Sequence, residues 1–552
     1  MDESDDQNDV PKPDHDAAMR YNGVTRSTCC MPRIIGSKPV IAILLINVLL
    51  DGSYYSALST LLNVFGGTAF KVVGLTFFVT IVLPLASPLL FYPLAGLVAD
   101  ACWGRHRTIQ LSLWLVAVGQ GIVFVTFLLL PTFQDAPVVE QVNVYVKVAV
   151  ALVYVCVSIG FAGLQTNVIP FCMDQMAYAS GDQLSALIHW YYWTSNVKSV
   201  LVVFFDCLSA QGDLQYYTVQ FGINACLLGL ALLIWHAWRP KFSIEPRGKN
   251  PVGTVCGVLT FASRHKYPRF QSSLTSERPS RLELCKSGYG GPFTTEEVED
   301  VKSFFRVTVV LLSLGTFVLV DYAVGSSFGD HIQDRKLVSG SRCSLNTLLS
   351  NIWEIAPIIL GIPLYEFIIR PLLCRAAPST LQAMGIGMLM AVASMVSFMS
   401  IDVAGHYLDD NVTCFLNVSV SPRGLAGDQL PVSSYLLTLP FLLGTLADVF
   451  TNIAAYQFIC AQAPYNMRGM LFGVFYSITG LFALLSGIFD LSIMYFYKYL
   501  TPSCGTIYYA SMTLIGVMGF VTFVLVATKY RRRDRLDQGG QITAAATELS
   551  VN

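Results

Sequence analysis

Long apolar runs separated by short polar segments dominate this chain of 552 residues. Several runs reach about 20 residues, the length that an α-helix needs to cross about 30 Å of hydrocarbon. Helices are expected because each span must satisfy its own backbone hydrogen bonds within lipid. The pattern predicts twelve spans, near residues 40–64, 73–99, 108–130, 144–170, 187–207, 217–238, 307–328, 347–373, 381–401, 432–459, 470–497 and 507–528.

A long polar segment separates the sixth predicted span from the seventh and divides the chain into two halves. Two six-helix halves around a central loop are the organisation of the major facilitator transporters, whose halves are structural repeats. We therefore predict an all-α membrane protein with that twelve-helix fold. Its expected parts are a cytosolic tail over 1–39, a six-helix bundle over 40–238, a cytosolic basic loop over 239–306, a second six-helix bundle over 307–528 and a cytosolic tail over 529–552.

Composition supports a membrane protein and excludes several other function classes. Hydrophobic residues make up 54% of the chain and charged residues only 13%, against about 25% charge in soluble domains. The fourteen cysteines form no C-x-x-C pair and the seven histidines are scattered, so no metal site is expected. Phosphate-binding loops, cofactor fingerprints and nucleophile–base pairs are not found in the sequence, which predicts no enzyme, no cofactor, no ATP-driven pump and no nucleic-acid partner.

Basic residues indicate which side of the membrane each loop occupies. The central loop is rich in Lys and Arg between Arg239 and Lys286, and further basic residues follow the last span between Lys529 and Arg535. Basic loops stay in the cytosol, so both regions are predicted to be cytosolic. Anionic lipid is a secondary partner for the central loop.

Two glycosylation sequons agree with this orientation. They begin at Asn411 and Asn417, within the loop 402–431 after the ninth span, and are expected on the outer or lumenal side. Cys343, Cys414 and Cys504 share that side, where one disulfide is expected without a defined pairing.

Three short motifs each leave two interpretations open. The Cys29–Cys30 pair is either a palmitoylation site or two ordinary cytosolic thiols. The sequence YNGV at 21–24 is either a tyrosine-based sorting signal or a chance match. Residues 294–297 form either a capping box that starts a helix or a solvated charged turn.

The segment GLVADACWGRHRTI at 96–109 follows the second span. Gly96 would let two helices approach closely, and Asp100 can accept hydrogen bonds from Arg105 or from a neighbouring helix N-terminus. We predict that Gly96, Asp100, Gly104 and Arg105 form a cytosolic gate. The alternative is a plain basic loop.

Further motifs point to a family. The fourth span ends in GFAGLQTNVIPFCMDQM and the fifth begins HWYYWTSNV, and a segment around Gln457 reads QFICAQAP. Together they resemble the proton-coupled oligopeptide transporter family. The segment LCKSGYGGPFTTEEVEDVKS at 284–303 is similar to the peptide/histidine transporter branch of solute carrier family 15, members 3 and 4. The resemblance implies a carrier of histidine or short peptides.

The chain departs from that family at its charged positions. In the first span, the family's two glutamates and arginine fall at Asn47, Leu50 and Asp51, and its fourth-span lysine and tenth-span glutamate fall at Gln165 and Gln457. Glutamine and asparagine do not titrate, and they bind peptide termini more weakly than charged groups do. These replacements predict weak or absent proton coupling unless another acid carries the proton.

The candidates for a replacement charge are ionisable residues within the spans. Charges at membrane depth are expensive and therefore candidates for function, although some can pair with each other or reach water at the interface. The candidates are Asp51, Lys198, Asp321, Glu354 and Asp448. The resemblance implies a substrate site at Tyr54, Tyr55, Gln165, Asn167, Trp193, Asn196, Glu354 and Gln457.

The functional hypothesis is a secondary transporter that works by alternating access and carries histidine or short peptides, with protons as a further partner. Two alternatives remain. One is an uncoupled facilitator of another organic solute, and the other is a transport-silent scaffold whose cytosolic loop binds a partner protein. The expected location is an endosomal, lysosomal or plasma membrane.

Overall fold

The computed structural model describes residues 37–64, 83–133, 139–176, 179, 181–208, 214–244, 250–265, 280–324, 345–369, 378–407, 438–500 and 506–530. Its α-helices are α1 Lys38–Val64, α2 Leu83–Val98, α3 Arg105–Phe133, α4 Val139–Asp174, α5 Gly181–Leu208, α6 Leu214–Trp238, α7 Pro251–Arg264, α8 Thr295–Ser313, α9 Leu345–Leu364, α10 Thr380–Tyr407, α11 Thr438–Gln462, α12 Arg468–Leu500 and α13 Thr506–Lys529. After a turn at Leu314, α8 continues as helix to Val324.

Each predicted span coincides with one of α1–α6 or α8–α13. Among the residues described above, eight helices are long and apolar enough to cross a membrane, and two shorter apolar helices cover Leu89–Trp103 and Ile355–Ile369. This pattern confirms a multi-pass helical membrane protein. The predicted sorting motif, the Cys29–Cys30 pair, both sequons and the three lumenal cysteines lie outside the described residues.

The helices pack as two bundles of six. In the first bundle α1 packs against α5 and α6, while α4 packs against α2 and α3; in the second, α11 packs against α9 and α10, and α10 also packs against α13. Small residues permit close helix packing in lipid. At Gly163 of α4, for example, a Cβ atom would lie only 2.1 Å from Ser112 Oγ of α3. The bundles meet through α2 against α12 and α5 against α9.

The central loop is partly folded. Asn250 caps α7 by accepting hydrogen bonds from the backbone N–H groups of Val252 and Gly253, at 3.1 and 3.4 Å. The predicted capping box is confirmed: Thr294 Oγ1 accepts from the N–H of Glu297 at 3.2 Å, and Glu297 Oε2 accepts from the N–H of Thr294 at 2.9 Å. It starts α8, so the helix that feeds the seventh span begins at Thr295, ahead of the boundary expected at 306.

A ring of four alternating charges fixes the segment before α8. Lys286 Nζ lies 2.5 Å from Glu283 Oε2 and 2.7 Å from Glu299 Oε1. Lys302 also contacts both carboxylates. Burial alone would raise the pKa of Glu283, but hydrogen bonds from Lys286 and Lys302 outweigh it and hold that pKa below its usual value. The ring ties the turn at Glu283–Cys285 to the first turns of α8.

We call the ends of the bundles that carry this loop the cytosolic end, following the predicted orientation. The turn after α2, the junction of α4 and α5, and the start of α12 all lie there. The residues predicted as a gate belong to this end.

Candidate functional site

A buried polar network surrounds Asp51 on α1. Gln165 Nε2 of α4 donates to Asp51 Oδ1 at 2.8 Å, and Asn47 Nδ2, one turn earlier on α1, lies 3.4 Å from Asp51 Oδ2. Asn47 Nδ2 also donates to Ser195 Oγ of α5 at 2.9 Å. Asp51 is 1% exposed. The structure therefore places a carboxylate against Gln165, the position at which the family has a lysine, and both of these donors are neutral amides.

The network continues across the interface between the bundles. Tyr191 of α5 donates its hydroxyl to Gln165 Oε1 at 2.8 Å. Tyr476 of α12 lies 3.4 Å from the same oxygen and 3.3 Å from the hydroxyl of Tyr456 on α11. The Tyr191 and Tyr456 rings pack edge-on with centroids 5.9 Å apart. A rigid-body movement of one bundle relative to the other would therefore change the surroundings of Gln165.

A second carboxylate, Asp448 of α11, also contacts the opposite bundle. Tyr192 of α5 donates its hydroxyl to Asp448 Oδ2, and Asn452 Nδ2 contacts Asp448 Oδ1 one turn away on the same helix. Hydrogen bonds in which the acceptor is ionised are among the stronger ones in proteins. Asp448 thus joins the two bundles beside Tyr191 and Asp51, on the neighbouring face of α5.

The other predicted substrate residues on α5 and α11 are used for packing contacts in this conformation. Trp193 Nε1 donates to the backbone carbonyl of Ile359 on α9 at 3.0 Å, which crosses the interface. Asn196 Nδ2 donates to the carbonyl of Tyr192, one turn back on α5, at 2.8 Å. Gln457 Nε2 of α11 donates to Ser185 Oγ of α5 at 2.9 Å. Gln457 therefore lies toward the cytosolic start of α5, and not beside Gln165.

Asn167 lies at the gate side of α4. Its amide donates to the Gly163 carbonyl and contacts Thr166 Oγ1, both at 2.9 Å. A Cβ atom on Gly469 of α12 would lie 3.0 Å from Asn167 Oδ1, so this side chain faces the α12 backbone. It is fully buried there.

The remaining candidates are less closely defined. Tyr54 and Tyr55 lie on α1, Lys198 on α5 and Glu354 on α9, but their side chains are outside the described part of the chain. Asp321 is half-buried on the continuation of α8.

The predicted gate residues come together at the cytosolic end. Asp100 lies in a π-helical turn, Ala99–Trp103, and Gly104 follows with a φ of +82°, a conformation that glycine adopts readily. Arg105 Nε and Nη2 each lie 3.3 Å from Asp100 Oδ1. Asp100 Oδ2 accepts from the backbone N–H of Met470 at 2.9 Å, so it also binds the first turn of α12. An anion at a helix N-terminus is favoured by the exposed N–H groups and the helix dipole.

Sequence reasoning missed the other partners of Arg105. Its Nη1 binds both carboxylate oxygens of Asp174, at 2.7 and 2.9 Å, and its Nη2 donates to the carbonyl of Tyr465 at 2.8 Å. The Tyr465 ring lies between two guanidinium groups, those of Arg105 and Arg468, at 5.3 and 5.2 Å from its centroid. Asp174 belongs to the FCMDQM motif, which was a usable signal; nothing in the sequence around Tyr465 indicated this contact.

Glycines bring α2 and α12 into backbone contact beside this cluster. A Cβ atom on Gly96 would lie 2.2 Å from the carbonyl oxygen of Gly469, and one on Gly473 would lie 2.5 Å from that of Tyr92. Ser477 Oγ donates to the Leu89 carbonyl at 3.2 Å, further along the same pair of helices. The cytosolic ends of the bundles are therefore closed on each other between α2 and α12.

A comparison with known families decides the identity of the chain. A family model described as the POT family matches residues 106–498, more than two thirds of the chain. The chain belongs to the POT family. This confirms the resemblance that the motifs around Gln165 and Gln457 indicated.

Relatives and solved structures of this POT-family chain agree. It is 25% identical over 545 residues to rat solute carrier family 15 member 3, covering 89% of this chain and 91% of the relative. It is 23% identical over 504 residues to protein NRT1/PTR family 5.14 of Arabidopsis thaliana, covering 80% and 84% of the two chains. A crystal structure of an auto-inhibited POT-family peptide transporter superposes with a TM-score of 0.62 at 17% identity, covering 92% of this chain and 99% of that one.

The fold comparison extends beyond the POT family. The major facilitator proton:xylose symporter XylE superposes with a TM-score of 0.55 at 12% identity, over 93% of this chain and 98% of that one. The twelve-helix major facilitator fold predicted from sequence is thereby confirmed for this POT-family protein. The structures named here are those of transporters, and within its described residues the chain has no group of three or more His, Cys, Asp or Glu side chains that could hold a metal ion.

Proposed function

We propose that this protein is a secondary transporter of histidine or short peptides that works by alternating access. The polar network around Asp51 and Gln165 is the observation that carries this proposal. It lies where both bundles meet, it contains hydrogen-bonding groups from α1, α4, α5, α11 and α12, and midplane sites between repeats are where secondary transporters bind substrate. The relatives that share this fold include peptide transporters by name.

The chemistry of the network suits a small polar solute. Asp51 supplies a carboxylate for an ammonium or imidazolium group. Gln165 and the tyrosine hydroxyls offer neutral donors and acceptors for a peptide backbone or a carboxylate. A neutral amide binds a carboxylate less strongly than lysine does. We therefore expect a preference for substrates with a cationic group and only modest affinity for their carboxylate end.

Protons remain available as coupling ions through the acids that the network keeps. Glutamine at 165 and 457 cannot titrate, whereas Asp51 and Asp448 can. A carboxylate whose neighbours move during the transport cycle changes its proton affinity, which is the requirement for coupling. We propose Asp51 as the first candidate, because it touches the replaced lysine position, with Asp448 and Glu354 as further candidates.

The closed gate supports alternating access. Arg105 links α3 to α4 and to the segment before α12, and Asp100 links the α2 end to α12. Contacts of this kind have to break for the cytosolic side to open. They are therefore expected in one of the two end states of the cycle and not in the other.

Uptake measurements test the proposal. Labelled histidine and a labelled dipeptide are offered to vesicles containing the purified protein at about pH 5.5 and about pH 7.4 outside, a range in which imidazole groups titrate. Saturable uptake of either solute supports transport, and faster uptake at the acidic pH supports coupling. No uptake of either solute by correctly inserted protein would count against the proposal.

An uncoupled facilitator of another organic solute is a second candidate, favoured by the position of Gln457. Its amide binds Ser185, so this former glutamate position supplies a neutral closing contact at the cytosolic end. A broad panel of organic solutes at fixed pH distinguishes the two. A transport-silent scaffold is favoured only by the folded segment before α8; loss of partners without loss of uptake after deletion of residues 239–306 would support it.

A further inference from the structure

His189 of α5 and Glu366 form a buried contact between the bundles, away from the network described above. Glu366 lies in the π-helical segment Tyr365–Ile369 that extends α9 at its cytosolic end. His189 Nδ1 is 2.5 Å from Glu366 Oε1. Glu366 is fully buried and His189 is 8% exposed. Nδ1 makes no hydrogen bond of good direction within the described residues, so the contact is one of close approach between the two groups.

The distance requires a proton in the pair. An unprotonated imidazole nitrogen and an ionised carboxylate both present lone pairs, and they repel at 2.5 Å. A carboxylate buried without a compensating proton or cation is strongly disfavoured. One proton on Nδ1, or on the carboxyl group, turns this repulsion into attraction. The closed arrangement is therefore compatible only with a protonated pair.

The surroundings provide a modest set of other charged and titratable groups. The Tyr365 ring lies 5.4 Å from the imidazole ring. Asp182 lies two turns earlier on α5. Within the described side chains, α11 faces α5 with Asp448, through Tyr192, and α1 faces it with Asp51, through Gln165 and Tyr191. These groups are acids and phenols, which favour a proton on the His189–Glu366 pair over its loss.

We propose that His189 and Glu366 form a proton-binding site whose occupancy is coupled to closure of the cytosolic side. Separation of α5 from α9 admits water, removes the need for a shared proton, and releases that proton to the cytosol. By linkage, a proton that binds more tightly to the closed form favours closure at acidic pH and opening at higher pH. The site deepens the proposed transport function, because it supplies a proton step that does not need the residues lost at Gln165 and Gln457.

Distance measurements between α5 and α9 test this without any substrate. Spin labels are placed at Gln183→Cys and Ile368→Cys, both exposed in the closed form, in protein whose accessible native cysteines are replaced by serine. Linkage to one proton allows the ratio of closed to open forms to change by at most about tenfold per pH unit. We expect the short distance to dominate at about pH 5.5 and a longer one to gain population at about pH 7.4.

Three variants identify the groups responsible. The double variant His189→Gln with Glu366→Gln should remove the pH response. His189→Lys should keep the short distance at both pH values, because its charge is permanent in this range. His236→Gln, an exposed histidine on α6, should keep the wild-type response. An unchanged wild-type distance between the two pH values, or a full response in the double Gln variant, would overturn the proposal. Uptake with no pH-dependent distance change would reject this site alone, and a distance change without uptake would reject the proposed function alone.

Discussion

The carboxylate of Asp51 and the amide of Gln165 are joined by a 2.8 Å hydrogen bond between α1 and α4. Related transporters are expected to carry a lysine at the position of Gln165, so a side chain that would bring a positive charge here is replaced by a neutral donor. The negative charge has not disappeared from the site, because Asp51 contributes it from the first helix. The site has exchanged an ionic arrangement for a carboxylate held by amides.

Replacing Asp51 with asparagine should remove the pH dependence of uptake that this carboxylate contributes. Asparagine keeps an oxygen that can accept from Gln165 Nε2 but cannot bind a proton. We expect the ratio of uptake at acidic and neutral pH to fall to about one. Asp490→Asn serves as the control, because Asp490 accepts from Tyr508 at 2.7 Å within the second bundle. A pH response that persists in Asp51→Asn would show that another group carries the proton.

Adding a methyl group at Gly96 should prevent full closure of the cytosolic side. The new Cβ would lie 2.2 Å from the Gly469 carbonyl oxygen, so α2 and α12 must separate. Overpacking of this kind costs about 1–3 kcal/mol. We expect a lower thermal midpoint for the purified protein and a slower transport cycle. Gly121→Ala on α3, where a Cβ meets no neighbouring atom within 4 Å, should leave both unchanged.

Changing Arg105 to lysine should weaken the gate although the charge is kept. A single ammonium group cannot reproduce the planar fork that binds both oxygens of Asp174 and the Tyr465 carbonyl at once. Loss of hydrogen bonds to charged groups costs about 1.5–3 kcal/mol. The maximal uptake rate, corrected for the amount of protein in the membrane, should fall several-fold. Arg107→Lys, at an exposed position on the same turn, should have little effect, and equal losses in both variants would argue against a specific role.

The folded segment of the cytosolic loop should protect one of its cysteines. Cys285 is fully buried beneath α7 with its Sγ 3.5 Å from the Val258 carbonyl, whereas Cys256 on α7 is exposed. Burial also raises the pKa of the Cys285 thiol and so reduces its reactive thiolate fraction. Alkylation of native membranes with a maleimide, followed by peptide mass spectrometry, should modify Cys256 at least about tenfold faster, because Cys285 must first open locally. Equal rates would show that this segment does not stay folded.

The ring of charges around Glu283 should be insensitive to pH over the working range. The folded-state pKa of Glu283 is below its usual value, so the stabilisation is present above the unfolded value of about 4.3 and is lost as the pH falls through the folded value. Hydrogen exchange of residues 283–303, corrected for its intrinsic pH dependence, should be unchanged from about pH 7.4 to about pH 5.5. Glu299→Gln, which removes one of the two acids, should speed exchange at both pH values. A marked increase in wild-type exchange at the acidic pH would contradict the role of the ring.

Local features were predictable to the extent that they depend on neighbours in sequence. The apolar runs gave the spans, since hydropathy over about 20 residues is a property of the segment itself. The capping box at Thr294 and Glu297 needed only a spacing of three residues. The Asp100–Arg105 contact was predictable for the same reason. Asp174 and Tyr465 were not, because they reach Arg105 from 69 and 360 residues away along the chain.

The sequence by itself determined a two-bundle membrane carrier of the POT family with its usual charges largely replaced, since span length, loop charge and motif letters are all local. Only the tertiary structure decided that Asp51 faces Gln165, that Gln457 faces Ser185, and that His189 meets Glu366. Each of these pairs joins helices that are far apart in the chain. Which side chains meet depends on how the helices rotate and tilt when they pack, and hydropathy carries no information about that.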